Sequence, residues 1–271
     1  MIKREDLHPE RIAQIVADAR AAGVPSNAAV VDSIADPRLV EIHGQMCRNA
    51  GVTTSTELVG PFMLMPKLID VWHGIVDDDA FPARMVMYNV PVMPGTTGDY
   101  AALAQAALAL RDRDTDKLRN QGIKLVIDGS IQGWTAVMDW PGYYTGEDHG
   151  LLLMAPEELA TAVTEFTRAR LNVHCHCNGN GATEAFLDAV EAALAECNWV
   201  DHRHVVQHSQ TSTQAQYRRM ARLGVGANIF TNHIYYWGDQ HADITMGPER
   251  ARGMWACRTA LREGVTLSFH S

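Results

Sequence analysis

The sequence predicts an α/β protein, a TIM-type (β/α)8 barrel, and three observations carry that expectation. Strand-like and helix-like segments alternate along the chain with little interruption, which is the pattern of a parallel sheet. The 271 residues, 46% of them hydrophobic, lie near the roughly 250 that one such barrel uses and can fill a large core. Imidazoles also stand at the ends of two successive strand-like segments, His174 and His176 in LNVHCHC and His208 in RHVVQHS. A β/α barrel gathers catalytic groups at one rim in this way.

Apolar, β-branched runs read as strands at 51–58, 83–90, 123–129, 171–177, 204–209, 224–230 and 265–271. Helical patterns lie at 37–50, 99–113, 156–170, 182–196, 212–224 and 248–264. Several open with Pro, Asp or Ser and close near Gly, as start and stop signals require. These strands leave the barrel one short. NAAVVDSI (27–34) is the candidate for the eighth; otherwise the first strand lies upstream of Met1 and the barrel is incomplete. The stop at Ser271, on a strand end with no helix to cover it, favours the incomplete reading. No repeat, low-complexity tract or linker occurs, so residues 1–271 read as a single, partial barrel domain. One segment stands out. SIQGWTAVMDWPGYYTGEDHG (130–150) is too long and too aromatic for a plain connector and reads as a substrate-facing lid.

Net charge is −9, from 23 basic and 32 acidic residues with no basic run, which argues against nucleic acid as a partner. The start, MIKREDLHPE, is polar and no long apolar span follows, so no membrane association is expected. Of five cysteines, Cys175 and Cys177 sit two apart on one strand, badly placed for a mutual disulfide. Small buried thiols in a reducing cytoplasm fit this usage. A small-molecule substrate is the expected partner, with a homo-oligomer left open.

Side chains alternate across a strand, so His174 and His176 share one face and Cys175 and Cys177 the other. Imidazole suits zinc, iron and similar divalent ions; satisfied core histidines are the alternative. Lys124, Val126 and Asp128 also share a face. A cationic lysine inside a barrel is costly unless paired, and Asp128 is the available partner.

The stretches GIKLVIDGSIQGWTAVMDWPGYY (122–144), HCNGNGATEAFLDAVEAA (176–193), DHRHVVQHSQ (201–210), LGVGAN (223–228) and VTLSFHS (265–271) resemble the amidohydrolase superfamily, and within it the YtcJ-like group. The resemblance runs in order over roughly residues 48–271. It implies a metal-dependent hydrolase that cleaves amide or cyclic amide C–N bonds, other than peptide bonds, with metal-activated water. It implies a divalent metal, zinc above all, as one or two ions. His176 and His208 match metal-binding histidines, and Lys124 matches a lysine that the superfamily often carbamylates as a metal ligand. These three are the expected catalytic and metal residues.

Some positions depart from the family pattern. Asn180 stands where Asp is usual, and His174 adds an imidazole behind the ligand. The last strand stops at His270-Ser271, one residue before the expected Asp, and the upstream His-x-His pair is absent. The β-sandwich that such enzymes build from both chain ends is missing as well. The resemblance therefore implies a central piece of a longer enzyme, inactive by itself. The alternatives are a degenerate homologue or a barrel lyase forming a Schiff base through Lys124. Expected substrate contacts are Trp134 and Tyr143 in the long loop, and His233, Tyr236, Trp237 and Asp239 after the 224–230 strand. Asp128, Glu57 and His270 are expected to point the same way, and the aromatic residues suit an apolar or cyclic substrate group.

Overall fold

The computed structural model describes residues 37–146 and 150–270. They fall into two compact units. One includes the residues up to Ser55 with Lys67–Met85 and Thr115–Leu118; the other includes Thr56–Pro66, Val86–Asp114 and the chain from Arg119 onward.

In the first unit, helix α1 (Pro37–Ala50) buries Val40, Gly44 and Cys47 on one side. That side has no room at Gly44, where a Cβ would run into the Phe81 ring. Helix α2 (Leu68–Val76), which the sequence reading did not anticipate, buries Leu68, Ile69, Trp72 and Val76.

The strands are β1 (Thr54–Gly60), β2 (Arg84–Asn89), β3 (Leu118–Val126), β4 (Asn172–Cys177), β5 (Val205–His208), β6 (Gly226–Ile229) and β7 (Leu267–Phe269). They form one sheet in the order of the sequence, β1 to β7. The pairs from β3 through β7 are parallel. Sequential parallel strands joined by helices are the layout of a β/α barrel, as the sequence predicts. The candidate strand 27–34 lies outside the described residues.

In the second unit, helices α3 (Tyr100–Arg111), α4 (Pro156–Arg168), α5 (Asn180–Cys197) and α6 (Gln214–Leu223) follow the expected segments closely. Asp99 caps α3 by accepting from the Ala102 N–H. Thr213 and Gln216 close a capping box on α6, which satisfies two orphan donors at once. Phe166 of α4 and Phe186, Leu187 and Val190 of α5 are fully buried, in one core cluster with Ile123, Leu125, Val173, Cys175, Cys177 and Val206 of the strands. Truncating Phe186 to Ala would cost about 3–5 kcal/mol at such a site. Cys175 and Cys177 are thus buried thiols on the core face of β4, unpaired as expected.

Two segments differ from expectation. Residues 248–264 are not one helix but two short ones, α8 (Pro248–Ala251) and α9 (Cys257–Arg262). Trp255 lies between them with φ 50°, a left-handed backbone that no helix can pass through. After β6, where a loop was expected, helix α7 (Asn232–Gln240) runs into a π-helical turn at His241–Thr245. No α7 residue is buried. Within the long loop, Ile131, Ala136, Met138 and Tyr143 are buried, while Trp140 and Tyr144 are exposed. Among the described residues, no helix is long and apolar enough to cross a membrane.

Candidate active site

His176, near the end of β4, is held by Asp128. The Asp128 side chain is fully buried, and its Oδ1 lies 2.9 Å from His176 Nδ1. The same carboxylate accepts from the backbone N–H groups of Asn178 (3.1 Å), Gly179 (2.8 Å) and Val137 (3.2 Å). Gly179 is needed here because a Cβ would collide with the Val137 carbonyl. With four donors converging on it, Asp128 is fixed as an acceptor, so His176 carries its proton on Nδ1 and presents the Nε2 lone pair. The expectation that Asp128 contacts substrate is therefore corrected. Its oxygens are fully engaged below the surface.

His208 reaches the same place by an irregular route. Regular alternation would send Gln207 and His208 to opposite faces of β5. Both nevertheless meet side chains of His174 and His176, which share one face. Gln207 Nε2 donates to His174 Nδ1 at 2.7 Å, and the His208 ring lies 4.4 Å from the His176 ring at 69°. The cause is a left-handed kink, with φ 74° at His208 and 45° at Ser209. Such conformations cost about 1–3 kcal/mol each and persist where the surroundings enforce them. Here the buried Ser209 hydroxyl donates to Ser212 Oγ at 2.7 Å.

His208 Nδ1 and His270 Nε2 share a hydrogen bond of 3.0 Å. Phe230 stacks on His270 with ring centroids 4.7 Å apart, and His233 packs on Phe230 at 4.3 Å. Burial above all holds the His208 pKa far below the usual imidazole range. Burial likewise lowers His233 and, with Lys124 adding to it, brings His174 to about 3. Neutral imidazoles keep a lone pair free, as a metal ligand must.

Lys124 is buried on β3, paired in register with His174, while His176 is level with Val126. Burial lowers its pKa, and Cys175, Cys177, Glu57 and Asp128 pull it back upward. Among the described residues no ion pair joins Lys124 to Asp128, so the pairing considered from sequence is not formed. Next to Lys124, His174 stacks on Tyr88 at 3.8 Å. Behind it runs an amide chain in which Ser268 Oγ donates to Asn228 Oδ1 at 2.8 Å and Asn228 Nδ2 donates to Gln207 Oε1 at 2.7 Å.

The remaining expected contacts divide. His233 is half-buried, with Nδ1 accepting from Gln210 Nε2 at 3.1 Å. Tyr236, Trp237 and Asp239 are exposed on α7. Tyr143 is buried and donates to the Ala136 carbonyl at 2.8 Å, so it braces the long loop rather than meeting substrate. Trp134 adopts φ 54° with its indole N–H buried and unpaired. Glu57 accepts from the Val59 N–H at 2.7 Å.

Sequence reasoning missed Asn178, Gln207 and Gln210. Asn178 Nδ2 donates to the Gly129 carbonyl at 2.7 Å and lies 3.4 Å from His176 Nε2. The available signal was their proximity in sequence to His176 and His208, since each lies within two residues of a strand-end histidine.

As a metal site, the arrangement fits in part. Two imidazoles with adjacent rings, one oriented by a buried carboxylate, form half of a divalent-ion ligand set. Among the described residues, no group of three His, Cys, Asp or Glu side chains stands together that could hold an ion. Lys124 is the remaining nearby nitrogen from the expected set.

Residues 10–271 match the profile described as Amidohydrolase family. The chain is 28% identical over 130 residues to Protein LONG AFTER FAR-RED 3 of Arabidopsis thaliana, covering 48% of this chain and 22% of that protein. It is similar in structure to an uncharacterized metal-dependent hydrolase from Pyrococcus horikoshii OT3, with TM-score 0.64, 18% identity, and 84% of this chain and 43% of that one covered. A second, from Pyrococcus furiosus, gives TM-score 0.60 at 20% identity, covering 81% and 41%. The chain thus spans about two fifths of those solved structures and a smaller part of the plant protein.

Proposed function

The chain belongs to the amidohydrolase family, and we propose that it supplies the ligand-bearing strands of a metal-dependent hydrolase that cleaves a C–N bond of an amide or cyclic amide. The single observation that carries this reading is the His176–Asp128 pair, which leaves His176 Nε2 as a lone pair beside the His208 ring. A divalent ion, zinc in our reading, would lower the pKa of a water molecule and polarise the substrate carbonyl. His176 and His208 would hold that ion through their Nε2 atoms, with Asp128 and His270 fixing the two rings. Lys124, buried and pushed towards its neutral amine, is suited to becoming a carbamate ligand. His233 and Trp237 would contact the substrate. The location we propose is the cytoplasm, in keeping with five unpaired thiols.

The test is elemental analysis of the full-length protein and of its His208→Ala variant. The wild type is expected to carry divalent metal and the variant to have lost most of it. Equal, full occupancy in both would overturn the assignment. The burial of Lys124 also favours a second reading, in which its neutral amine forms a Schiff base with a carbonyl substrate. Borohydride trapping of a substrate adduct on Lys124, in protein free of metal, would decide for that reading.

A further inference from the structure

Beside the kink at His208 lies a second group of polar side chains that the hydrolysis does not use. Gln210, two residues beyond His208, accepts from the Trp255 backbone N–H through its own carbonyl at 2.9 Å. Its side-chain Nε2 donates to His233 Nδ1 at 3.1 Å. The Trp255 ring lies 5.7 Å from that of His241, which sits in the π-helical turn and bonds Thr245 Oγ1 through Nδ1 at 2.8 Å. The backbone, these contacts and the ring packing therefore bring Gln210, His241 and Trp255 together.

Each of the three has a buried polar atom with no partner. These are Gln210 Oε1, His241 Nε2 and Trp255 Nε1, on side chains only 1%, 0% and 7% exposed. Buried polar atoms in folded proteins are almost always bonded, so three orphans in one neighbourhood call for an explanation. The local backbone is unusual as well. Trp255 holds a left-handed conformation that a bulky residue rarely adopts, and π-helical turns recur at functional sites.

The orphan atoms define a chemistry. Gln210 Oε1 can only accept, Trp255 Nε1–H can only donate, and a neutral imidazole nitrogen can do either. Among the described residues no charged side chain bonds to any of them, so an ionic guest would be buried without a counter-charge. An uncharged group carrying both N–H and C=O satisfies all three. We infer that Gln210, His241 and Trp255 form a subsite for an uncharged amide-type group of the substrate, a carboxamide or ureide, adjacent to the His176–His208 site. This rests on the hydrolase reading for its place in the reaction, but the binding event can be measured without turnover. His233, tied to Gln210 and packed on Phe230, links the subsite to the ring that contacts His270.

The experiment uses the full-length protein labelled with 15N and follows the indole N–H resonance of Trp255, assigned from its absence in Trp255→Phe. Propionamide and N-methylurea are expected to shift this resonance to saturation, while propionate at the same concentrations leaves it in place. Gln210→Met should weaken propionamide binding about ten-fold or more, because the bound N–H loses its acceptor. Should that variant fail to fold, His241→Phe with the same titration replaces it. A resonance indifferent to propionamide, or equally responsive to propionate, overturns the inference. So does a Gln210→Met protein that binds propionamide normally but melts earlier, since the orphans would then be structural groups closed around water. Metal content is measured in parallel. Protein without metal that still binds propionamide would remove the hydrolase reading and leave the subsite standing; metal-loaded protein that ignores propionamide would do the reverse.

Discussion

The Nδ1 atom of His176 lies 2.9 Å from Oδ1 of Asp128, a carboxylate with no solvent exposure that also accepts three backbone N–H bonds. The pair connects the loop after β3, the end of β4 and the start of α5. One side chain therefore sets both the local fold and the direction in which His176 offers its lone pair.

Asp128→Asn keeps the shape but brings an NH2 group up against N–H donors. Metal affinity, read by competition with a chelator, is expected to fall about 10–100-fold, as for other carboxylates that orient a ligand histidine. Thermal stability should fall too, by about 2–3 kcal/mol, because one or two buried N–H groups lose a charged acceptor. Unchanged metal affinity would show that His176 needs no such orientation.

Lys124→Met preserves most of the buried volume and removes the amine. Burial already opposes the charged form of Lys124, so stability is expected to hold or rise. Metal occupancy should drop if the amine is carbamylated. In protein supplied with 13C-bicarbonate, a carbamate carbon resonance should appear in the wild type and be absent from Lys124→Met. Lack of that signal in metal-loaded wild-type protein would rule out the carbamate.

Folding should be acid-sensitive through two further histidines, His202 and His204. His202 Nδ1 accepts from the His204 N–H at 2.9 Å, and its Nε2 donates to the Leu223 carbonyl at 2.8 Å. His204 Nδ1 accepts from the Val173 N–H at 3.0 Å, and its Nε2 bonds Thr167 Oγ1 at 3.0 Å. Each ring must stay neutral to accept those backbone bonds, and burial, first among the causes, lowers both pKa values. The unfolded chain takes up protons near pH 6.5, where the folded chain cannot. The stabilisation is therefore complete above about pH 6.5 and is lost as pH falls, by at most about 1.4 kcal/mol per pH unit for each ring. Urea unfolding between pH 7.5 and 5 should show this slope. His204→Gln should flatten it, and an equal slope in wild type and variant would discount the mechanism.

Much of this was legible in the chain itself. Strand and helix periods located β4, β5, α4 and α5 within a few residues, because their buried faces carry clean apolar patterns such as Phe166, Phe186 and Val190. That His176 shares a face with His174 was readable from alternation alone. His208 was not, because its side chain reaches the interior through a left-handed kink rather than through strand geometry. Asp128 shares a face with Lys124 in an ideal strand, yet β3 ends at Val126 and the carboxylate turns to the backbone of the next segment. β3 itself begins before the apolar run, at Leu118, because the buried Asn120 finds partners in Asn89 and Asp114 that composition cannot reveal.

Helix α7 buries none of its nine residues. A helix of that length is marginal in water without a packed face, so its backbone hydrogen bonds should break and reform at little free-energy cost and its amide hydrogens should exchange early. His233 and Trp237 ride on this element. Any molecule that engages them must quench that motion, so its binding carries an unfavourable entropy that stiffening the ligand cannot recover. The freedom being lost belongs to the protein.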